Sequence, residues 1–343
     1  MQDIKQIAWA LSLASARSQL NVPGEYVWAF PDSDRFDAVK VRAHSIFSSG
    51  NSIKDPAVID YVQGLNINRH LLDPWISKTF EDRWPGWIQS SPHYQLNHLD
   101  LFTCTCYSQG SQESFLNFYF VNREKRFRIF RGEYWWHMQI WKNLGLHWAY
   151  VEDDDIRPGD VCIVSFPFAM AGDQHPRYHW LVEQCEHQGV ELLVDFIYLP
   201  NSMDQAVSVD LSPDCIRTVT FSLSKTFPVQ CAKIAVRMSK DKIMDPMQVS
   251  NDENVANRLA CGLGVDIMDE FAPDYMVNKY RHQQQHWCQQ LGLTASKVVH
   301  FAFGKPYTDK THWFSEFNEQ HTRYNLGILY ENTELLKKLG LYE

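Results

Sequence analysis

The stretch Thr220-Phe221-Ser222-Leu223-Ser224-Lys225-Thr226-Phe227-Pro228 leads from an alternating, strand-like run into a turn, with a lysine just past the strand end. Lysine is the side chain that condenses with a carbonyl cofactor. Taken alone, Lys225 reads first as a surface lysine in a loop. Upstream, Leu192-Leu193-Val194-Asp195-Phe196-Ile197-Tyr198 is an apolar strand that ends in a carboxylate. In open α/β sheets, ligands bind at the C-terminal ends of strands. Asp195 therefore reads either as a site carboxylate or as the cap of the next element.

Outward from these runs, strands and helices alternate over roughly 100–240. Strands are predicted leading into Cys104 and Cys106 and at 126–130, 146–151, 161–166, 191–195, 216–221 and 232–237. Helices are predicted after the turn Ser108-Gln109-Gly110-Ser111, at 134–144 and at 179–188, where Gly189 ends the last one. That alternation predicts a three-layer α/β/α unit with a mostly parallel sheet. Residues 1–20 carry a helical spacing of Ile4, Ile7, Ala8, Leu11 and Leu13. Residues 61–100, rich in Trp, His and Pro, yield no assignment. Beyond 240 the character changes. Helices at 251–270, 274–291 and 333–339, with strands near 297–303 and 324–330, predict a smaller α+β part. The expected division is a large domain over 60–240, with 1–59 and 241–343 forming the small one.

Hydrophobic residues make up 45% of the 343, enough for a large core and too many for a disordered chain. The formal charge of −9 argues against nucleic acid as a partner. The basic stretch Arg123 to Arg131 reads as a solvated helix end and strand start. Cys104 and Cys106 are one residue apart, unlike the usual zinc or redox pair, and the other six cysteines sit in apolar contexts. No apolar run approaches the about 18 residues of a membrane span, and no signal segment is evident. The expectation is a soluble, cytoplasmic protein that engages neither membrane nor nucleic acid and carries no metal.

The motifs together resemble the fold-type I pyridoxal-phosphate enzymes, and among them the class I/II aminotransferases, over about 100–240 and again at 320–330. The family's Ser-x-Ser-Lys is matched by Ser222-Leu223-Ser224-Lys225 and its Asp-x-x-Tyr by Asp195 and Tyr198. The resemblance implies pyridoxal 5′-phosphate as cofactor and Lys225 as the Schiff-base lysine that also moves the Cα proton. It implies Asp195 as the partner of the pyridinium nitrogen and Tyr198 as the partner of the phenolic oxygen. Gly110, Ser111 and Gln112 resemble the phosphate cup, where backbone amides at a helix start favour an anion, and Ser222 would join them. Tyr134, with Trp135 as second choice, would stack on the ring; both could also be core aromatics. Arg323, in Thr322-Arg323-Tyr324-Asn325, matches the arginine that grips the substrate carboxylate with a bidentate fork.

Two positions depart from that pattern. Ser165-Phe166-Pro167-Phe168-Ala169-Met170-Ala171-Gly172 aligns with a loop whose Asn is here Ala169. The family's phosphate-clamping Arg is here Lys233, which supplies charge without a fork, and Arg237 lies too far along the strand to replace it. The implied function is transamination between an α-amino acid and a 2-oxo acid. Decarboxylation, elimination or cyclisation on the same scaffold, or a non-catalytic binding role, remains open. The resemblance also implies a homodimer. His175, Arg177 and His179 could meet an acidic substrate group or face solvent, and Arg281, His282 and His286 read as one polar helix face.

Overall fold

The computed structural model describes residues 4, 6–7, 10–11, 52–204, 207–304 and 322–341. Of the expected N-terminal helix, the described residues are helical and bury Ile7 and Leu11; Ala8 and Leu13 lie outside the described residues. The chain runs through α1 (Pro56–Gly64), α2 (Ile76–Ile88), β1 (Tyr94–Asn97), β2 (Cys104–Gln109), α3 (Ser111–Val121), β3 (Arg126–Ile129), α4 (Trp136–Leu144) and β4 (Trp148–Tyr150). It continues with β5 (Asp160–Ser165), α5 (Tyr178–Gln188), β6 (Glu191–Asp195), β7 (Val207–Asp210), β8 (Ile216–Ser222) and β9 (Ile234–Ser239). Then follow α6 (Pro246–Asp252), α7 (Arg258–Glu270), α8 (Tyr275–Leu291), β10 (Thr294–Ala295), β11 (Phe301–Gly304), β12 (Thr322–Asn325), α9 (Gly327–Glu331) and α10 (Thr333–Lys338).

Seven strands form one sheet in the order β2-β9-β8-β6-β5-β3-β4. All run parallel except β9, which is antiparallel to both its neighbours. The central strands are apolar on both faces, as a covered parallel sheet requires. Val161, Ile163 and Leu193 pack with Phe115, Phe118 and Tyr119 of α3 and Trp141 of α4. Cys162, Val164, Leu192 and Val194 face the other way, into a core shared with Leu181 and Cys185 of α5. Period-two alternation along buried strands thus separates two helical layers, as expected of an α/β/α unit. A parallel pair, β1 and β7, and an antiparallel sheet, β10-β11-β12, stand apart from the main sheet.

Several elements differ from the sequence reading, each for a local reason. The strand expected before Cys104 begins only there, because His98 takes a left-handed conformation (φ 65°) and Leu99–Leu101 form a 3₁₀ turn. The single helix expected over 251–270 is two: Asn254 is left-handed (φ 55°), and Asn257 caps α7 by accepting from the Ala260 amide. The strand expected at 324–330 ends at Asn325, whose Oδ1 accepts from Gly327 N at 2.8 Å and turns the chain into α9. The expected strand near 297–303 lies at 301–304, with the short β10 before it. Arg128 is not solvated. It is fully buried and paired with Asp160 at 2.8 Å and Asp154 at 2.7 Å. All eight cysteines are free thiols. No described helix is long and apolar enough to cross a membrane.

Candidate active site

Because six of the seven strands run the same way, their C-terminal ends share one edge. The register sets Ser165 beside Asp195 and Asp195 beside Thr220, while Ser222 pairs with Ala235 and Gln109 with Ile234. The antiparallel β9 brings its start, preceded by Lys233, to the same edge. Loops leaving this edge enclose a cavity of about 610 Å³. Every site residue chosen from the sequence lines it: Gly110, Ser111, Gln112, Tyr134, Asp195, Tyr198, Ser222, Lys225, Lys233 and Arg323. Ala169 and Trp135 line it too.

Gly110 precedes α3 with φ +81°, a conformation that disfavours any side chain. A Cβ there would stand 3.4 Å from Lys233 Cδ, so the lysine stem lies across the bare glycine. The first amides of α3 are available to an anion at this end of the cavity. Ser222 Oγ accepts from Ser224 N at 3.1 Å and donates to Ile234 O at 3.2 Å. Lys225 closes the 3₁₀ turn Leu223–Lys225, and its carbonyl accepts from Asn201 Nδ2 at 3.0 Å. Gln112 Nε2 donates to Tyr134 Oη at 3.4 Å, and the Tyr134 ring lies parallel to Trp136 at 6.2 Å.

Asp195 is 3% exposed, and its Oδ1 accepts from Ile197 N at 3.1 Å. Burial, and then the Glu133 carboxylate, raise its pKa well above the ordinary value; the Ile197 amide and Lys225 oppose that. Arg323 pairs in register with Phe303 on β11, yet its guanidinium leaves the small sheet and donates from Nη1 to the Ala169 carbonyl. Its guanidinium carbon lies 4.4 Å from the centroid of the Phe301 ring. Burial pulls the Arg323 pKa down, and Tyr198 pulls it up. His300, fully buried against Tyr198 and Phe301, is lowered to about 3, first by burial and then by Arg323 and Lys225. Neither of its ring nitrogens has a hydrogen-bond partner among the described residues.

Other residues singled out from the sequence lie elsewhere. His175 stacks on Phe130 at 3.7 Å, and Arg177 lies over Trp180 at 3.8 Å. Arg281 pairs with Asp204 at 2.9 Å, and Arg237 is buried against Asp245. None of these lines the cavity, and neither do His179, His282 and His286. Conversely, Glu133, Ser165, Met170, Ile197, Gln230 and Cys231 line it and were not chosen. Ser165 ends a strand, so a search of strand-end polar residues would have found it, whereas Glu133 lies four residues past the end of β3 and is marked only by its place beside Tyr134. Gln230 and Cys231 carry no comparable signal.

No protein-family model and no curated protein matches the sequence. Solved structures do. A C–S lyase from Staphylococcus hominis, bound to pyridoxal phosphate and L-cycloserine, superposes with a TM-score of 0.60 at 11% identity, covering 84% of this chain and 87% of its own. L-threonine-O-3-phosphate decarboxylase from Porphyromonas gingivalis gives 0.56 at 12%, over 85% of this chain and 99% of its own. Tyrosine aminotransferase from Leishmania infantum gives 0.55 at 11%, over 84% and 91%. What this chain shares with all three, at identities this low, is its path through space: it has the fold of the fold-type I pyridoxal-phosphate enzymes.

Proposed function

We propose that the chain binds pyridoxal 5′-phosphate in this cavity and transfers the amino group of an α-amino acid to a 2-oxo acid. The observation that carries the reading is the meeting of Lys225, Asp195 and Arg323 in one cavity, although they come from three separate segments. The residues also fit the cofactor. Asp195 is a carboxylate whose burial favours its neutral form, and a pyridinium N–H would favour the charged one. The bare Gly110 surface, the start of α3, Ser222 and Lys233 offer amides, a hydroxyl and an ammonium to a phosphate.

When bound, pyridoxal phosphate supplies an aldehyde that condenses with amines and a ring that accepts the electron pair of a broken Cα bond. Lys225 Nζ would hold the cofactor covalently and would serve as the base and acid for the Cα proton of a bound amino acid. The Asp195 carboxylate would pair with a protonated ring nitrogen, and Tyr198 Oη would bond the ring's phenolic oxygen. Tyr134 would lie against the ring and exclude water from that side. Arg323 takes the substrate carboxylate in its fork.

Ala169 favours a second reading, lysis or decarboxylation of an amino acid. Its methyl group would leave the phenolic oxygen one hydrogen-bond donor short of the family pattern, which would change the proton's preference on the bound ring. A panel of amino acids with the loaded protein separates the two. Transamination leaves pyridoxamine phosphate and a 2-oxo acid; the alternative releases CO₂ or ammonia. Borohydride reduction followed by peptide mass mapping tests both, since an unmodified Lys225 peptide excludes a covalent cofactor.

The proposal includes a homodimer. Leu71, Leu72 and Trp75 are exposed, as is Val255 on the segment that Asn254 ties to Pro74 and Ser77. Such an apolar group suits a subunit contact, and light scattering that reads a monomer at micromolar concentration would refute it.

A further inference from the structure

We infer that Glu133 and Ser165 position Arg323 for carboxylate binding, through a buried hydrogen-bonded relay that ends on the Ala169 carbonyl. The inference rests on the role proposed above for Arg323. Glu133 is 6% exposed and lines the cavity. Its Oε1 accepts from Tyr134 N at 3.0 Å and from Ser165 Oγ at 2.6 Å, and its Oε2 accepts from Ser165 N at 2.8 Å. With its proton committed to Glu133, Ser165 Oγ accepts the Ala169 amide at 2.8 Å. The Ala169 carbonyl in turn accepts from Arg323 Nη1. A carboxylate, a hydroxyl, a backbone turn and a guanidinium are thus joined in series.

The turn needs that anchor. Residues 166–172 contain no helix or strand. Ala171 N and Gly172 N bond to Phe168 O at 3.1 and 2.8 Å, and Phe168 N bonds to Asp173 O at 2.7 Å. Those bonds shape the turn from within. The bond from Ala169 N to Ser165 Oγ ties its middle to the end of β5 and so to the main sheet. Arg323 comes from the other sheet, so the Ala169 carbonyl joins the two. A guanidinium grips a carboxylate bidentately only in the plane of its fork, and the Ala169 carbonyl fixes one Nη while Tyr198 and the Phe301 ring restrict the rest of the group. Burial raises the Glu133 pKa, and the bonds from Ser165 and Tyr134 oppose that rise.

The test uses propionate, a carboxylate without an amino group, titrated into the cofactor-free protein and followed by saturation-transfer NMR. Arg323→Lys is expected to weaken binding about tenfold, the loss of a charge-assisted fork. Ser165→Ala, which removes only the relay hydroxyl, and Glu133→Gln, which in either orientation sets an amide donor against the Ser165 or the Tyr134 amide, should each weaken it about as much. Ser165→Thr restores the hydroxyl and should recover binding to within about threefold. In the loaded enzyme, Ser165→Ala should raise KM for the amino acid by more than it lowers kcat, the mark of lost ground-state binding. Propionate binding that responds to Arg323→Lys but ignores Ser165→Ala and Glu133→Gln overturns the relay and leaves the proposed function standing. Binding that ignores Arg323→Lys overturns the arginine's role and the relay with it. A protein that shows the full relay pattern with propionate yet never takes up pyridoxal phosphate supports the relay and refutes the cofactor reading alone.

Discussion

Asp195→Asn should have two consequences of opposite sign. The carboxylate is buried at the end of β6, and its burial and the neighbouring Glu133 hold its pKa well above the ordinary value. A group whose folded pKa is raised stabilises the fold fully below its unfolded value, about 3.9 for Asp. That contribution is lost as pH rises toward the folded pKa. Within this window the group lowers wild-type stability by about 1.4 kcal/mol per pH unit. Asparagine does not titrate, and its oxygen can still accept from Ile197 N. The cofactor-free variant should therefore gain on wild type with that slope from about pH 4 upward, then keep a constant advantage above the folded pKa. Cofactor binding should move the other way. Removing one partner of a buried ion pair costs about 3–5 kcal/mol, or about two to four orders of magnitude in affinity. Urea unfolding of both cofactor-free proteins from pH 5 to 8, with pyridoxal phosphate titrated by fluorescence, reads both effects. A stability difference that is flat with pH would refute the buried-charge reasoning. An asparagine variant that holds the cofactor as tightly as wild type would refute the pairing.

Lys225→Ala should abolish the borohydride-fixed adduct and all turnover, while reversible phosphate-dependent uptake of the cofactor persists; an adduct at another lysine would remove Lys225 from its role. Burial pushes the Glu81 carboxyl up to about 7 from 4.5, so its stabilising contribution is lost as pH rises across that interval. Glu81→Gln should be more stable than wild type by about 3 kcal/mol at pH 8 and no better at pH 4, and equal gains in urea melts at both pH values would contradict this. At Gly262 a Cβ would stand 2.2 Å from His70 Cγ, and His70 is held to Asp266 at 2.9 Å. Gly262→Ala should lower the unfolding free energy by about 3 kcal/mol, through overpacking and a broken buried pair; an unchanged melting curve would show that His70 can yield.

Much of the main sheet was legible because its signals are local. Short apolar runs bounded by turns mark β5 and β6, an alternating run marks β8, and Gly189 marks the end of α5. Where a single residue's conformation decided, the reading failed. His98 and Asn254 are non-glycine residues with positive φ, and each broke an element that periodicity had run through. The parallel pair β1 and β7 was missed because each strand is four residues long and their pairing joins segments more than a hundred positions apart.

For the site, sequence sufficed to choose which residues carry the chemistry. An amine, a carboxylate and an arginine stood at strand ends or on a strand, in spacings that resemble a known family. Residue type and local period are written in neighbouring positions, and so is a resemblance built on short motifs. Only the tertiary structure decided that these side chains share one cavity, because one edge of a parallel sheet collects strand ends from distant parts of the chain. It also decided that Arg323 crosses from the small sheet to Ala169, and that Glu133 accepts three hydrogen bonds beside Asp195. Those contacts depend on how strands pair and layers pack, and long-range pairing leaves no mark in any single stretch of sequence.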